Sequence, residues 1–298
     1  MIELLQQPFV QIGLLVSLVL AGIHAYLGFH VVSRGVIFVD LSLAQAAAFG
    51  YVVAIFAGVG EHSMIAYFIS LGFTLLGALL VSLSRMKNDI VPHEAFIGII
   101  YAGFAALSIL FLAHRAEGME TVQEITNGSI LTCTWTELGT ISALYAAVAT
   151  FHFVFRKKFF LISQDRSKAR EQGINTPVWD FLFYATFGLV VTSSVHIAGV
   201  LLVFSILVIP PVIALFFAST PGRRLTIGWS IAVVGAIIGI LSSLKMDLPT
   251  GPSIMVALIG LLIIAALLRR LRLRSASPAD SENLAASPQS QAVTKDVY

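Results

Sequence analysis

With 298 residues, of which 57% are hydrophobic and 11% charged, and a mean hydropathy of +0.91, the chain carries more apolar surface than one water-soluble core can absorb. A soluble globular domain is thereby excluded, and an all-α polytopic membrane protein is expected. The formal net charge of +2 is small and unevenly placed, so no nucleic-acid partner is inferred from it.

A hydrocarbon layer about 30 Å thick takes about 20 helical residues, and nine runs of that order occur at roughly 9–32, 35–58, 63–84, 93–113, 135–155, 178–195, 198–218, 224–244 and 252–268. The first lacks a basic leader and a small-residue cleavage site, so it is expected to be retained as helix. It holds His24 and His30 and ends at Arg34; the second holds Asp40 and Gln45, and the fourth opens on His93 and Glu94. Two connections are long: His114 to Trp135 on one side, and Arg156 to Pro177 on the other. The single cysteine, Cys133, excludes an internal disulfide and a cysteine metal cluster, and reads as a small apolar residue near a helix end.

The second long connection reads RKKFFLISQDRSKAREQGINTP. Phe159 to Ile162 suit the membrane interface, and Gln164 to Gln172 suit a short helix stopped by Gly173. A plain connector needs only a few residues, so its length predicts a cytoplasmic docking helix over 163–173. The charge-free turn near His196 leaves open a re-entrant hairpin, which would reduce the count to eight spans. Pro210 and Pro211 interrupt the seventh span; two missing donors kink a helix, as a hinge or as a static bend. Gly98 and Gly103, or Gly235 and Gly239, suggest close helix contacts and a dimer face. Residues 1–274 form the membrane domain, and 275–298, rich in Ser, Ala, Gln and Pro, are expected to be a disordered cytoplasmic tail.

Nine spans put the termini on opposite sides. Of 18 Lys and Arg, 16 fall after spans one, three, five and seven or in the tail, leaving Arg115 and Lys245 elsewhere. The expected topology is therefore N-terminus outside and C-terminus cytoplasmic.

Three stretches together carry a family resemblance. Gly28-Phe-His-Val-Val-Ser-Arg34, with Ile37-Phe-Val-Asp-Leu-Ser-Leu-Ala-Gln45 and Gly50, resembles the second-helix signature of the permease subunits of bacterial ABC importers for zinc, manganese and iron. Ile197 to Ala214, containing Gly199-Val-Leu-Leu-Val203 and Pro210-Pro211, is similar to that family's seventh span, and Asp247-Leu-Pro-Thr-Gly-Pro-Ser-Ile254 to its Pro-Ser/Thr-Gly motif before the last helix. Glu94 to Tyr101 resembles the fourth span, and Asp165, Ala169-Arg170 and Gly173 resemble the coupling loop, so the likeness runs collinearly over about residues 12 to 270.

The resemblance implies a permease of the bacterial plasma membrane that carries Zn, Mn or Fe and has no resident cofactor. It also implies a separate ATPase docked on Gln164, Asp165, Ala169, Arg170 and Gly173, an extracytoplasmic metal-binding protein, and two copies of the permease. The family often carries Asp-x-x-x-His in the second helix; here Ala44 stands four residues after Asp40, with Gln45 next, and an amide is a poorer transition-metal ligand than imidazole. No GxxxxGK[ST] segment occurs, so the chain is not itself an ATPase and energy comes from a partner or an ion gradient. The alternatives are a metal-chelate or cobalamin permease and an ion-gradient-driven carrier. An intramembrane enzyme is disfavoured by the lack of H-E-x-x-H and related motifs.

A carboxylate inside the bilayer costs about 2.5–3.5 kcal/mol on insertion scales and marks a bundle interior or a wet path, which makes Asp40 the leading candidate. Counted from Arg34, His24 and Gln45 lie about 15 and 16 Å deep and Asp40 about 9 Å. His24, Asp40 and Gln45 are therefore the expected cation station. The competing readings are a hydrogen bond from His24 to a neighbouring helix, and a pairing of Asp40 with a backbone amide or Arg34. Asp247 and His196 are expected at the outer entrance and Glu94 at the inner exit, with capping or packing as their other uses; His30 is expected to be structural.

Overall fold

The computed structural model describes residues 6–60, 63–84, 91–113 and 130–275. The helices are α1 (Pro8–Ser33), α2 (Val39–Phe56), α3 (Met64–Leu83), α4 (His93–Leu112), α5 (Trp135–Val154), α6 (Arg156–Gln164), α7 (Arg166–Glu171), α8 (Thr176–Ala198), α9 (Val200–Phe217), α10 (Pro221–Met246) and α11 (Thr250–Ser275). All of these except α6 and α7 are long and apolar enough to cross a membrane, so the described residues contain nine candidate spans. The polar tail from residue 276 onward and most of the segment joining α4 to α5 lie outside the described residues, as do Arg85, Lys87 and Arg115.

Local chemistry explains the helix ends. Pro8 and Pro221 open α1 and α10, where a missing N–H costs nothing. The Ser63 hydroxyl accepts from Ala66 N to cap α3, and Thr134 with Glu137 closes a reciprocal capping box on α5. Asp247 stops α10 in the left-handed region at φ 53.

Along the apolar middle of each helix, 67% of α1 and α2 and 61% of α8 and α9 is buried, against 22–28% of α4, α5 and α11. The first four therefore form the centre, and the others present wide apolar faces to the surroundings. Contacts along α1 record how the chain doubles back at Gly199 (φ 76): Asp180 near the start of α8 meets Arg34, Ser194 near its end meets His24, and Leu207 of α9 is back beside Gly28.

α9 continues as one helix through both buried prolines. Pro211 cannot donate to the Leu207 carbonyl four residues earlier. That carbonyl is pressed onto Gly28, so closely that a Cβ there would overlap the oxygen and stand 2.9 Å from both the Leu207 carbonyl carbon and Pro211 Cγ.

The glycine pairs divide. Gly235 and Gly239 pack inside the chain against Leu258 and Ile254 of α11, so that close contact is spent internally and offers no dimer face. Gly98 and Gly103 meet nothing within 4 Å.

Cys133 is buried beside the start of α5, and burial pushes its thiol up to about 11. Because the thiolate is the reacting species, maleimide at pH 8 should modify the folded protein about a hundredfold more slowly than the denatured chain. As the only cysteine, it makes the label count a direct readout; equal rates would contradict the packing around it.

Candidate functional site

A cavity of about 560 Å³ lies between α2, α3, α5 and α8, at the end of the bundle remote from Arg34. Tyr51, Tyr67, Thr136, Glu137 and His196 contribute to its walls. Its deep side is hydroxyl-rich: Thr192 Oγ1 stands 2.8 Å from Thr74 Oγ1, and Ser70 Oγ donates to the Ala47 carbonyl at 2.8 Å. A second chain runs inward from Ser193 to the Tyr145 hydroxyl (3.3 Å), then Ser194 (2.5 Å), then His24 Nε2 (3.1 Å).

Ala47 lines the cavity, and Asp40 lies seven residues before it, almost two turns of α2 and so on the same face, about 10 Å deeper. Between them Leu43 is fully buried, packed toward Gly77 and Gly188. Asp40 is itself fully buried, and neither carboxylate oxygen has a hydrogen-bond partner. Neither pairing expected for it holds: Arg34 binds Asp180 at 2.9 Å, and no backbone amide reaches the Asp40 side chain. The N-terminus of α2 supplies a favourable dipole, which is a partial compensation only.

The expected cation station is not assembled. His24 donates through Nδ1 to the Leu20 carbonyl at 2.9 Å and meets Ser194 through Nε2, so both ring nitrogens serve the bundle, as its competing reading had it. Gln45 is half-buried and, five residues on from Asp40, points about 140° away around α2. Among the described residues, no three His, Cys, Asp or Glu side chains gather as a metal-holding group.

The other candidates separate by position. His196 is exposed and lines the cavity, 5.9 Å from the Tyr51 ring. Asp247 is exposed at the α10 turn and takes no part in the cavity wall. Glu94 accepts from Phe38 N at 2.9 Å, which caps α2 from α4, and its second oxygen is buried without a hydrogen bond. His93 bonds the Val81 carbonyl at 3.0 Å, and His30 meets Ser163 Oγ through Nδ1 at 2.9 Å.

The connection after α5 differs from the single helix expected over 163–173. Gln164 closes α6, and Asp165 breaks the helix at φ −150, ψ 92 because its side chain accepts from Lys168 N at 2.9 Å to cap a new one, α7. Gly173 stops α7 as anticipated: at φ 75 its N–H reaches Arg170 O, and Ile174 N reaches Ala169 O, the paired bonds of a Schellman turn. Gln164, Asp165 and Arg170 are exposed, whereas Ala169 is fully buried and anchors α7 to the bundle. Likewise Phe159 and Ile162 are buried in the bundle rather than lying at an interface.

Sequence reasoning passed over Asp180 and the hydroxyl floor. The run Thr192-Ser193-Ser194 inside an apolar span, and an acid just inside the sixth, were the available signals.

A model of the ABC 3 transport family matches residues 6–269. The chain is 26% identical over 275 residues to the probable iron transport system membrane protein of Haemophilus influenzae, covering 92% of this chain and 98% of that one. It is 25% identical over 268 residues to the chelated iron transport system membrane protein YfeD of Yersinia pestis (89% and 87% covered). With the manganese transport system membrane protein MntC of Listeria monocytogenes it shares 23% over 265 residues (89% and 92%). Among solved structures, PsaBC from Streptococcus pneumoniae in complex with Fab superposes with a TM-score of 0.74 at 20% identity, covering 89% of this chain and 93% of that one, a likeness of fold.

Proposed function

The chain belongs to the ABC 3 transport family, and from that membership we propose that it is the membrane-spanning permease subunit of an importer that carries a divalent transition metal into a bacterial cytoplasm. It is a multi-pass protein of the inner membrane. Manganese and iron are the favoured cargoes, because relatives are named for them, with zinc kept as the third. The observation that carries the reading is the cavity with its hydroxyl-bearing deep side, and, about 10 Å further along the same face of α2 and beyond Leu43, the unpartnered carboxylate of Asp40.

In this reading the Arg34 end is cytoplasmic, in keeping with the basic residues Arg156, Lys157, Lys158, Arg223 and Arg224 grouped with it. The cavity then opens outward, beneath an extracytoplasmic binding protein, and Leu43 against α8 closes the path below. A separate ATPase sits on the exposed residues of α6 and α7, and two copies of the permease flank the path. Nucleotide-driven movement of α7 would part the helices at Leu43 and let the ion pass Asp40 and Glu94. A carboxylate without competing partners can hold a hydrated cation briefly and release it.

A chelated metal is the second cargo reading, since a cavity of about 560 Å³ has room for more than a bare ion.

The test is uptake into proteoliposomes holding the permease, its ATPase and its binding protein. Mn²⁺ or Fe²⁺ accumulation should require ATP inside the compartment that holds the ATPase. Accumulation without ATP that collapses with the proton gradient would replace this reading by a carrier, and uptake of iron only as a chelate would select the second cargo.

A further inference from the structure

One buried ionic cluster joins the docking segment to the central helices. The two oxygens of Asp180, on α8, are divided between two arginines: Oδ1 accepts from Arg34 at the end of α1 at 2.9 Å, and Oδ2 accepts from Arg166 of α7. Arg34 also donates through Nε to Ser163 of α6 at 2.9 Å, and its guanidinium lies 4.0 Å from the centre of the Phe183 ring, one turn along α8. Asp180 is 1% exposed and Arg34 8% exposed, so neither is screened as a surface pair would be. The result is a single node where α1, α6, α7 and α8 meet.

The node is placed to act as a lever. Eight residues beyond Asp180, about 12 Å along the same helix, Gly188 packs against Leu43 and Thr74, the contact that closes the path beneath the cavity. A further six residues on, Ser194 joins the hydroxyl chain to His24. On the other side of that contact, α2 follows α1 after a turn at Gly35, at φ 64, and the amide of its N-cap residue Phe38 is held by Glu94 of α4. Thus the node ties α7, α8 and the end of α1 to one another, while the start of α2 is capped from α4.

We propose that Asp180 is the positioning residue that transmits displacement of α7 into α8 and α1, so that movement at the docking segment slides Gly188 past Leu43 and opens the path. The inference rests on the importer reading above. It predicts that loosening the node separates nucleotide hydrolysis from transport: α7 still moves with its partner, but α8 follows it less.

The decisive quantity is metal taken up per ATP hydrolysed, measured with the complete complex of permease, ATPase and binding protein in proteoliposomes. Asp180→Asn keeps the shape but loses the charge that both arginines share, and should lower that ratio about tenfold while hydrolysis continues. Arg166→Gln, at the more exposed arm, should lower it less, and Asp180→Glu should restore part of it. If Asp180→Asn does not assemble, Arg166→Gln is read in its place. A purely structural role would reduce uptake and hydrolysis together and leave the ratio unchanged, and that result overturns the proposal. The wild-type complex serves as the separate arm: if it accumulates no metal with ATP, or does so without ATP, the importer reading fails instead.

Discussion

Replacing Gly28 with alanine should cost the protein about 3 kcal/mol or more and lower both its yield and its unfolding temperature in detergent. The reason lies in the obstacle. At Gly28 the added methyl meets the backbone carbonyl of Leu207 and the ring of Pro211, neither of which can turn aside as a flexible side chain would. Relief would require α1 to move off α9, opening contacts along two of the four central helices of the bundle. Gly22→Ala on the same helix is the control, because nothing lies within 4 Å of the position its Cβ would take, and α1 gains helix propensity from the change. Thermal unfolding followed by fluorescence, with the two variants side by side, reads the difference. Equal melting temperatures would mean that α1 and α9 do not approach as described.

The second large effect is on transport and should leave the fold untouched. Asp40→Ala removes a fully buried carboxylate that has no hydrogen-bond partner, so it relieves a burial penalty of about 1–3 kcal/mol and breaks no bond. The melting temperature should stay the same or rise, while ATP-driven metal uptake falls more than about tenfold. Natural sequences keep such a costly group in a membrane interior where activity needs it. Normal uptake by a well-folded Asp40→Ala protein would remove Asp40 from the path. A fall in uptake accompanied by a lower melting temperature would reassign it to the scaffold.

The architecture was legible because each span states its own length. The run from Pro8 to Ser33, the proline and serine starts and the Gly173 stop follow from local chemistry that a sequence carries in full. The site was less legible because it depends on which faces meet. Helical depth alone put His24 and Gln45 at one level, but azimuth decides contact: Gln45 points away from Asp40, and His24 is already engaged by Leu20 and Ser194. Asp40 stood out through its intramembrane charge, yet only the packed bundle reveals that it has no partner. Asp180 stayed hidden for the opposite reason: its significance comes from Arg34, 146 residues earlier, and no local pattern announces a pairing over that distance. The glycines behave similarly, since close pairs along a span place Gly239 against Ile254 but leave Gly103 facing open space.

The one-residue turn at Gly199 also bears on how the protein is made. Between α8 and α9 there is no loop and no charge, hence nothing for the insertion machinery to read as a stop or as a side-determining signal. The sidedness of the two helices is therefore set jointly by the basic groups before Thr176 and after Phe217, as for a single hairpin. A reporter or long insertion at this point would have to force apart two packed helices, and would therefore perturb the turn whose sidedness it was meant to read.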